Sequence, residues 1–312
     1  MNDVLRILDR LLKKGGYVIK KHPAYNLLPL KNFKNYPLLK KTYHAFDKKD
    51  NNTLSDNVCK LNVCLRTCIN ERRAGHKYNE LTGVATDEHL LKCMRSLIIS
   101  INEAVTNNKK IKLTVFDDRS DSASLKKINN LLNIVKCDWE IVKTKNTGQG
   151  NSLYEHFSFA RDKNSLFYFC EDDYLHIPGA ISEMINFYKD IFEETSTHLL
   201  IHPQEHELVY SQINYPSYIL EGQNRRWRTI SHATHTFFTH SSVVDKHWKY
   251  FGNTKYVGHK EKRHLGSEKQ TTDKLFNHIP GFSPIPAVAV HLQSKESLPP
   301  FFDWKCIWND TQ

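Results

Sequence analysis

The sequence predicts an α/β domain, and three observations carry that expectation. Apolar segments of strand length alternate with segments of helical period from Lys60 onward, two of the strands run directly into acidic residues, and 312 residues suffice for one large domain or two small ones. Hydrophobic residues make up 39% and charged residues 25%, the balance of a chain that buries a core rather than of a disordered one. The longest apolar stretches, 165–170 and 97–101, fall far short of the roughly 20 residues that cross a bilayer. Asp3, Arg6, Asp9 and Arg10 interrupt the first apolar segment, where a secretory signal keeps an uncharged core. The expected location is the cytoplasm, or a host's cytoplasm for a viral protein.

At the amino end, Val4, Ile7, Leu8, Leu11 and Leu12 recur at helical spacing over 4–13, and Gly15 and Gly16 close the segment. Through Lys60 there are 13 Lys and Arg against 5 Asp and Glu, so this fifth of the chain carries most of the net +10. Residues 1–58 therefore read as a basic extension. Such a patch either keeps the surface solvated or attracts a polyanion: nucleic acid, an anionic membrane surface or an acidic glycan. The seven cysteines are odd in number and form no Cys-x-x-Cys pair, which favours buried thiols in a reducing compartment.

The first strand is expected over 61–67. A helix over 88–103 follows, with Leu90, Leu91, Met94, Leu97, Ile98 and Ile101 on one face. The second strand, 111–116, ends in Asp117 and Asp118. Next come a helix over 125–135, a strand over 139–143 and a helix over 152–161. Residues 166–170 make a buried strand that stops at Glu171, Asp172 and Asp173. Beyond Pro178 a helix reaches about 192 and a strand covers 199–202. Residues 203–232 are loop-rich. A strand over 234–239 leads into a helix from Ser241 or Ser242 to Tyr250. Glycines at 252, 258 and 266 suggest a mobile loop, followed by a short helix over 270–278 and a last strand over 287–292.

Three segments carry chemistry. Glu171, Asp172 and Asp173 repel one another unless a cation or solvent compensates them; a divalent ion with oxygen ligands is one solution and a solvated acidic turn the other. Asp117 and Asp118, leaving another strand, suit a ribose hydroxyl or a base edge at the carboxyl edge of an α/β sheet, although nearby Asp and Ser also cap helices. Asn146-Thr147-Gly148-Gln149-Gly150-Asn151 joins a strand to a helix, and its glycines let backbone N–H groups approach negative charge at the helix start.

In order and spacing, Asp117-Asp118-x-Ser-Asp, Asn146-x-Gly-x-Gly-Asn and Glu171-Asp172-Asp173 with Pro178-Gly179 resemble the nucleotide-sugar-binding half of GT-A glycosyltransferases. The likeness is to glycosyltransferase family 2 in particular, and the Glu-Asp-Asp form resembles that of the N-acetylglucosaminyltransferases. It covers about residues 60 to 190. The resemblance implies a Rossmann-like GT-A fold, a mixed and mainly parallel sheet flanked by helices, over 59–312, with 59–190 binding the donor and 191–312 the acceptor. It also implies inverting transfer of a monosaccharide from a nucleotide sugar, best a UDP-sugar, with Mn2+ or Mg2+. Asp173 would be the direct metal ligand, and Glu171 and Asp172 would serve the ribose or metal-bound water. Asp118, with Asp117 as the second choice, would hold the nucleoside. Arg66 and Thr67 would line the base pocket, and Asn146 and Gly148 would contact the donor.

Inversion requires a base, for which Glu268 and Asp273 are the candidates. Five positions apart, they differ by roughly 140° around a helix, so one of them faces the site, with Glu268 preferred over Asp273. Either also fits a solvated acid at a helix start. His291, after an apolar run, sits where some GT-A enzymes place a further metal ligand, and imidazole suits manganese. Chance placement among 17 histidines is the alternative. Gln223-Asn224-Arg225-Arg226-Trp227 spells the Gln-x-x-Arg-Trp motif of processive polysaccharide synthases but precedes Glu268 and lacks their membrane helices. Arg225, Arg226, Trp227 and Arg228 either bind an acceptor or anchor a loop. The basic extension and this cluster favour a polyanionic acceptor, specifically a hydroxymethylated DNA base flipped from its duplex. A surface or capsule glycan is the alternative. A nucleotidyltransferase would place a Gly-rich, basic loop after the first strand, which 67–73 does not provide. A non-catalytic polyanion-binding protein would be expected to lose acids from 171–173, and all three remain.

Overall fold

In a computed structural model, the structure describes residues 27, 29, 33–47, 57–70, 79–205, 216–300 and 302–311. The helix expected over 4–13 lies outside the described residues, as does most of the basic extension. Within it, Pro37–Asp47 forms a helix, α1.

The order expected for the donor half appears, with the helices expected over 125–135 and 152–161 each lying three residues earlier. Strand β1 (Lys60–Thr67), helix α2 (Thr86–Thr106), β2 (Lys110–Asp117), α3 (Ser122–Leu132), β3 (Asp138–Lys143), α4 (Gln149–Ser158), β4 (Leu166–Glu171), the short β5 (Tyr174–His176) and α5 (Ala180–Thr195) succeed one another. The carboxyl half adds β6 (Leu200–Ile201), β7 (Ile219–Glu221), β8 (Arg226–Thr229), β9 (Phe237–His240), α6 (Ser241–Lys246), β10 (Gly281–Ile285), β11 (Ala289–His291) and a last helix, α7 (Trp304–Asp310). Among the described residues, nine strands form one sheet in the order β3-β2-β1-β4-β9-β6-β10-β8-β7. Pairings β3–β2, β2–β1, β1–β4 and β6–β10 are parallel, while β9 and β8 run against their neighbours. The sheet is thus mixed and mainly parallel, flanked by helices.

Period-2 side-chain alternation builds two cores from one strand. Leu166, Tyr168 and Cys170 of β4 join one apolar cluster with Leu90, Leu97 and Ile101 of α2 and Ile181 and Met184 of α5. Phe167 and Phe169 join the opposite cluster with Phe157 of α4, Phe237 and Phe251. At roughly 1.5 to 3 kcal/mol per buried large side chain, two filled faces account for a central strand that reads as one continuous apolar run.

Three expectations differ from the fold. Residues 203–232 include an antiparallel edge hairpin, β7–β8, whose short, half-polar strands give little periodic signal. The strand expected over 287–292 leaves the main sheet and pairs with β5 as a two-stranded ribbon. Segment 252–266 is built of short helical turns, Gly252–Tyr256, Lys260–Lys262 and Arg263–Gly266. Two of its closest approaches require glycine, since a Cβ on Gly150 would stand 2.5 Å from Val257 O and one on Gly266 2.5 Å from Val257 N.

Two buried histidines tie stability to pH. His156 Nε2–H donates to Cys64 O at 2.8 Å amid Phe116 and Phe169. His176 Nδ1–H donates to Tyr174 O at 3.0 Å, and its Nε2 accepts from Tyr168 Oη at 2.9 Å. Burial drives both imidazoles from an ordinary 6.5 down to about 3. Below pH 6.5 the unfolded chain takes up protons that the fold refuses, so stability is full above that pH and is lost as pH falls toward 3. Each histidine is expected to steepen the loss toward about 1.4 kcal/mol per pH unit. Urea unfolding at pH 7, 6, 5 and 4 checks this, and a flat midpoint over that span contradicts it.

Candidate functional site: a cleft along the carboxyl edge of the sheet

The carboxyl ends of β1, β2, β3 and β4 all open on one cleft of about 1120 Å³. From β1 the chain adds β2 and β3 on one side and β4 on the other, so the cleft sits where strand order reverses, the place where open α/β sheets bind ligands. Arg66 and Cys68 enter it from β1, Asp118 and Arg119 from β2, Thr147, Gly148 and Gln149 from the β3–α4 loop, and Glu171 and Asp173 from β4.

One end is organised by Asp118. Its Oδ1 accepts from Arg119 Nη1 at 2.7 Å and Thr144 Oγ1 at 3.2 Å, and its Oδ2 accepts from Gly148 N at 3.2 Å. A single carboxylate thus joins the ends of β2 and β3 to the loop that opens α4. Gly148 holds φ +96°, a left-handed conformation that glycine adopts without strain. Asp121 caps α3 by accepting from Ser124 N at 2.7 Å, and Ser122 and Ala123 bring that helix start to the cleft wall. Arg66 spans β1 and β4 to pair with Glu171 and donates to Ser152 Oγ at 3.3 Å.

Four other residues singled out by sequence serve the backbone. Asp117 Oδ1 accepts from Ser120 N at 3.1 Å. Thr67 Oγ1 and Cys68 N donate to Asp172 Oδ2 at 2.8 and 3.2 Å, so Asp172 and Thr67 clasp the ends of β1 and β4 together. Asn146 turns away from the cleft to Glu155, whose Oε1 accepts from its backbone N at 2.9 Å. The three consecutive acids are therefore split by direction. Glu171 and Asp173 line the cleft, and Asp172 between them points inward.

The ribbon explains the meeting at the other end. β5 pairs with β11 in antiparallel register, His291 opposite Tyr174, and Leu292 N donates to Asp173 O at 2.9 Å. His291 stacks on the Tyr174 ring at 4.6 Å and 7°, which brings its Nε2 to 3.2 Å from Asp173 Oδ2. Two neighbouring ligands of an octahedral ion, each about 2.1 Å from it, stand about 3.0 Å apart, so the pair fits a divalent cation that takes oxygen and imidazole donors. Among the described residues, no group of three or more His, Cys, Asp or Glu side chains forms a closed cage. The rest of such a coordination shell would have to come from water or a bound ligand. The cleft's charge points the same way: carboxylates at 118, 121, 171, 173, 268 and 296 face two guanidiniums, Arg66 and Arg119, a balance that repels a diphosphate without an added cation.

Glu268 and Asp273 part company. Glu268 lines the cleft, with Oε1 3.6 Å from Nδ1 of buried His235. Asp273 instead accepts from Ala233 N at 3.2 Å and pairs with His232 Nδ1 at 2.9 Å. Burial opposes charge on His232, but the Asp273 carboxylate outweighs it and raises the imidazole above its ordinary value.

The Arg-Trp cluster lies apart from the cleft in the β7–β8 hairpin. Trp227 is 1% exposed and stacks on Phe187 at 4.0 Å, Arg225 pairs with Glu183, and Arg228 donates to Ser217 Oγ at 2.7 Å. Arg226 is exposed on β8, between β10 and the edge strand β7. Around Glu268 in the sequence, Lys255, Lys260, Lys262, Arg263 and Lys269 are exposed, and none of them lines the cleft.

Sequence reasoning passed over His202, Gln204, Thr234, His235, Ser294 and Ser297, which complete the cleft wall. None stands at the end of a long apolar run. His235 alone had a local signal, a polar residue two positions before the paired apolar Phe237 and Phe238 that open a fully buried strand.

No protein-family model matches the chain, and no curated protein matches it. Among solved structures it is similar to the glycosyltransferase TarS 1–349 of S. aureus in complex with UDP, at 12% identity over 72% of this chain and 60% of that one, TM-score 0.41. It is also similar to the mannosyltransferase PcManGT from Pyrobaculum calidifontis in complex with GDP-Man and Mn2+, at 10% identity over 67% and 53%, TM-score 0.38. A UDP-glucose pyrophosphorylase complexed with UDP-glucose is similar at 10% identity over 80% and 98%, TM-score 0.44. The chain spans little more than half the length of the first two.

Proposed function

We propose that the chain is a metal-dependent glycosyltransferase that moves a monosaccharide from a nucleotide sugar, best a UDP-sugar, to an acceptor hydroxyl with inversion. The observation that carries this reading is the convergence of Asp118 with Gly148, Asp173 with His291, and Glu268 on one cleft at the strand-order reversal. Asp118, the α3 start and the Gly148 turn form the nucleoside end. Asp173 and His291 would hold Mn2+ or Mg2+, which supplies charge compensation to the leaving diphosphate when bound. Glu268, partly exposed on the far wall, is the base that receives the acceptor's proton. Arg66, fixed by Glu171 and Ser152, donates into the cleft between the two ends and orients the donor.

The exposed basic segment 255–269, which carries Glu268 with five Lys and Arg and only Glu261 as a second acid, supports an anionic acceptor. Of the anionic acceptors, this segment is compatible with modified DNA and with a phosphate-bearing or acidic glycan. Labelled sugar appearing on hydroxymethylated DNA or on the glycan separates these two.

Calorimetry with UDP and UDP-sugars, with and without Mn2+, tests the donor half. Micromolar binding that weakens at least about tenfold on chelation is expected. Chelator-insensitive binding, or none for any nucleotide sugar, overturns the reading. Release of UDP marks glycosyl transfer, whereas release of pyrophosphate from UTP and a sugar phosphate assigns the cleft to nucleotidyl transfer.

A further inference from the structure

His235 lies between the proposed base and the core. The residue is 4% exposed, its ring rests against Phe157, and both ring nitrogens face identified atoms. Nε2 is 3.0 Å from Thr271 Oγ1, and Nδ1 is 3.6 Å from Glu268 Oε1. The Thr271 hydroxyl has one proton and gives it to the Ser267 carbonyl at 3.0 Å. Toward His235, Thr271 Oγ1 is therefore an acceptor, so Nε2 carries the ring proton and a neutral ring turns its Nδ1 lone pair to the Glu268 carboxylate. Two proton-accepting atoms 3.6 Å apart, a few tenths of an ångström beyond hydrogen-bond distance, favour a state in which they close on one shared proton.

We propose that Glu268 and His235 act as one proton-accepting dyad, in which His235 Nδ1 takes over from Glu268 the proton that Glu268 removes from the acceptor hydroxyl. The inference rests on the glycosyl-transfer reading and extends it to a positioning residue behind the base. As the hydroxyl O–H bond breaks, its electron pair forms the bond from that oxygen to the sugar's anomeric carbon. The bond from that carbon to the diphosphate oxygen breaks, and its pair leaves on the diphosphate. The proton moves to Glu268 Oε1 and on to Nδ1, which restores the carboxylate and leaves an imidazolium. Solvent takes the proton after product release.

The surroundings set the imidazolium's cost. Burial lowers the basicity of His235; Glu268, Glu171 at the end of β4 and Asp273 raise it; Arg66 at the end of β1 lowers it. His235 in turn lowers the basicity of His156 of α4, a further buried imidazole. With these opposing influences, His235 is neutral before the step and has carboxylates near enough to stabilise the charge it gains.

The test combines nitrogen-15 NMR of the histidines in the full chain with the pH dependence of UDP release from UDP-glucose and UDP-N-acetylglucosamine, water serving as acceptor. At pH 8, His235 is expected as the Nε2–H tautomer, and its titration should move to lower pH in Glu268→Gln. In His235→Gln, donor affinity is expected to hold while kcat at neutral pH falls about 10- to 100-fold and the acid limb of the profile shifts to lower pH, because the imidazole no longer shares the proton. Thr271→Val, which leaves both partners in place, should move the limb the same way by less, and it carries the kinetic arm if His235→Gln does not fold. An Nδ1–H tautomer overturns the dyad, as does a His235→Gln profile lowered evenly with its acid limb unmoved. If the wild-type chain neither binds nor hydrolyses any nucleotide sugar, the transfer reading fails on its own, and the tautomer still decides whether the dyad exists.

Discussion

Asp173→Asn is expected to lower UDP-sugar turnover by about a thousandfold and to remove the manganese-dependent part of donor affinity. The amide keeps the size and shape of the side chain, so the ribbon contacts through the Asp173 backbone persist and the fold stays intact. What disappears is the negative oxygen beside His291 Nε2. With one anionic donor gone, a cation would keep only the imidazole and the ligand as partners, and the remaining carboxylates of the cleft would face a diphosphate uncompensated. Calorimetry of UDP with and without Mn2+, run beside a turnover assay, separates the two effects. If Asp173→Asn turns over as fast as the parent and retains manganese-assisted affinity, the cleft does not work as proposed.

Glu268→Gln is expected to act on a different quantity. A base is needed only as the hydroxyl attacks, so donor affinity should stay within about twofold while kcat falls about 10²- to 10⁴-fold. Asp273→Gln at the neighbouring candidate should behave otherwise. Asp273 holds His232 and the Ala233 amide rather than facing the cleft, so its loss should lower stability more than the pH-independent rate. Thermal melts and kcat measured on both variants distinguish the roles. Equal kcat losses in the two would mean that a different group is the base.

Much of the fold was legible because the donor half is built from long, strongly periodic segments. Residues 166–170 are apolar throughout since both faces of β4 are covered, and α2 shows its stripe over several turns. The hairpin β7–β8 and strand β10 were not legible: β7 and β8 are three and four residues long, and β10 contains Pro284 in a five-residue run. At the site, the approach of acids at strand ends could be read, but their direction could not. Nothing in Glu171-Asp172-Asp173 says that the middle acid turns to Thr67. Likewise, two of the arginines near Trp227 look available in sequence, whereas the fold gives Arg225 to Glu183 and Arg228 to Ser217.

The β5–β11 ribbon has a consequence along the chain. Asp173 and His291 lie 118 positions apart and meet only when residues 289–291 dock on 174–176. On the proposed reading, the groups assigned to the nucleoside, Asp118 and Gly148, come early in the chain, whereas the cation pair is complete only with His291. On that reading, a change confined to the His291 side chain would remove the cation seat and leave the nucleoside end in place.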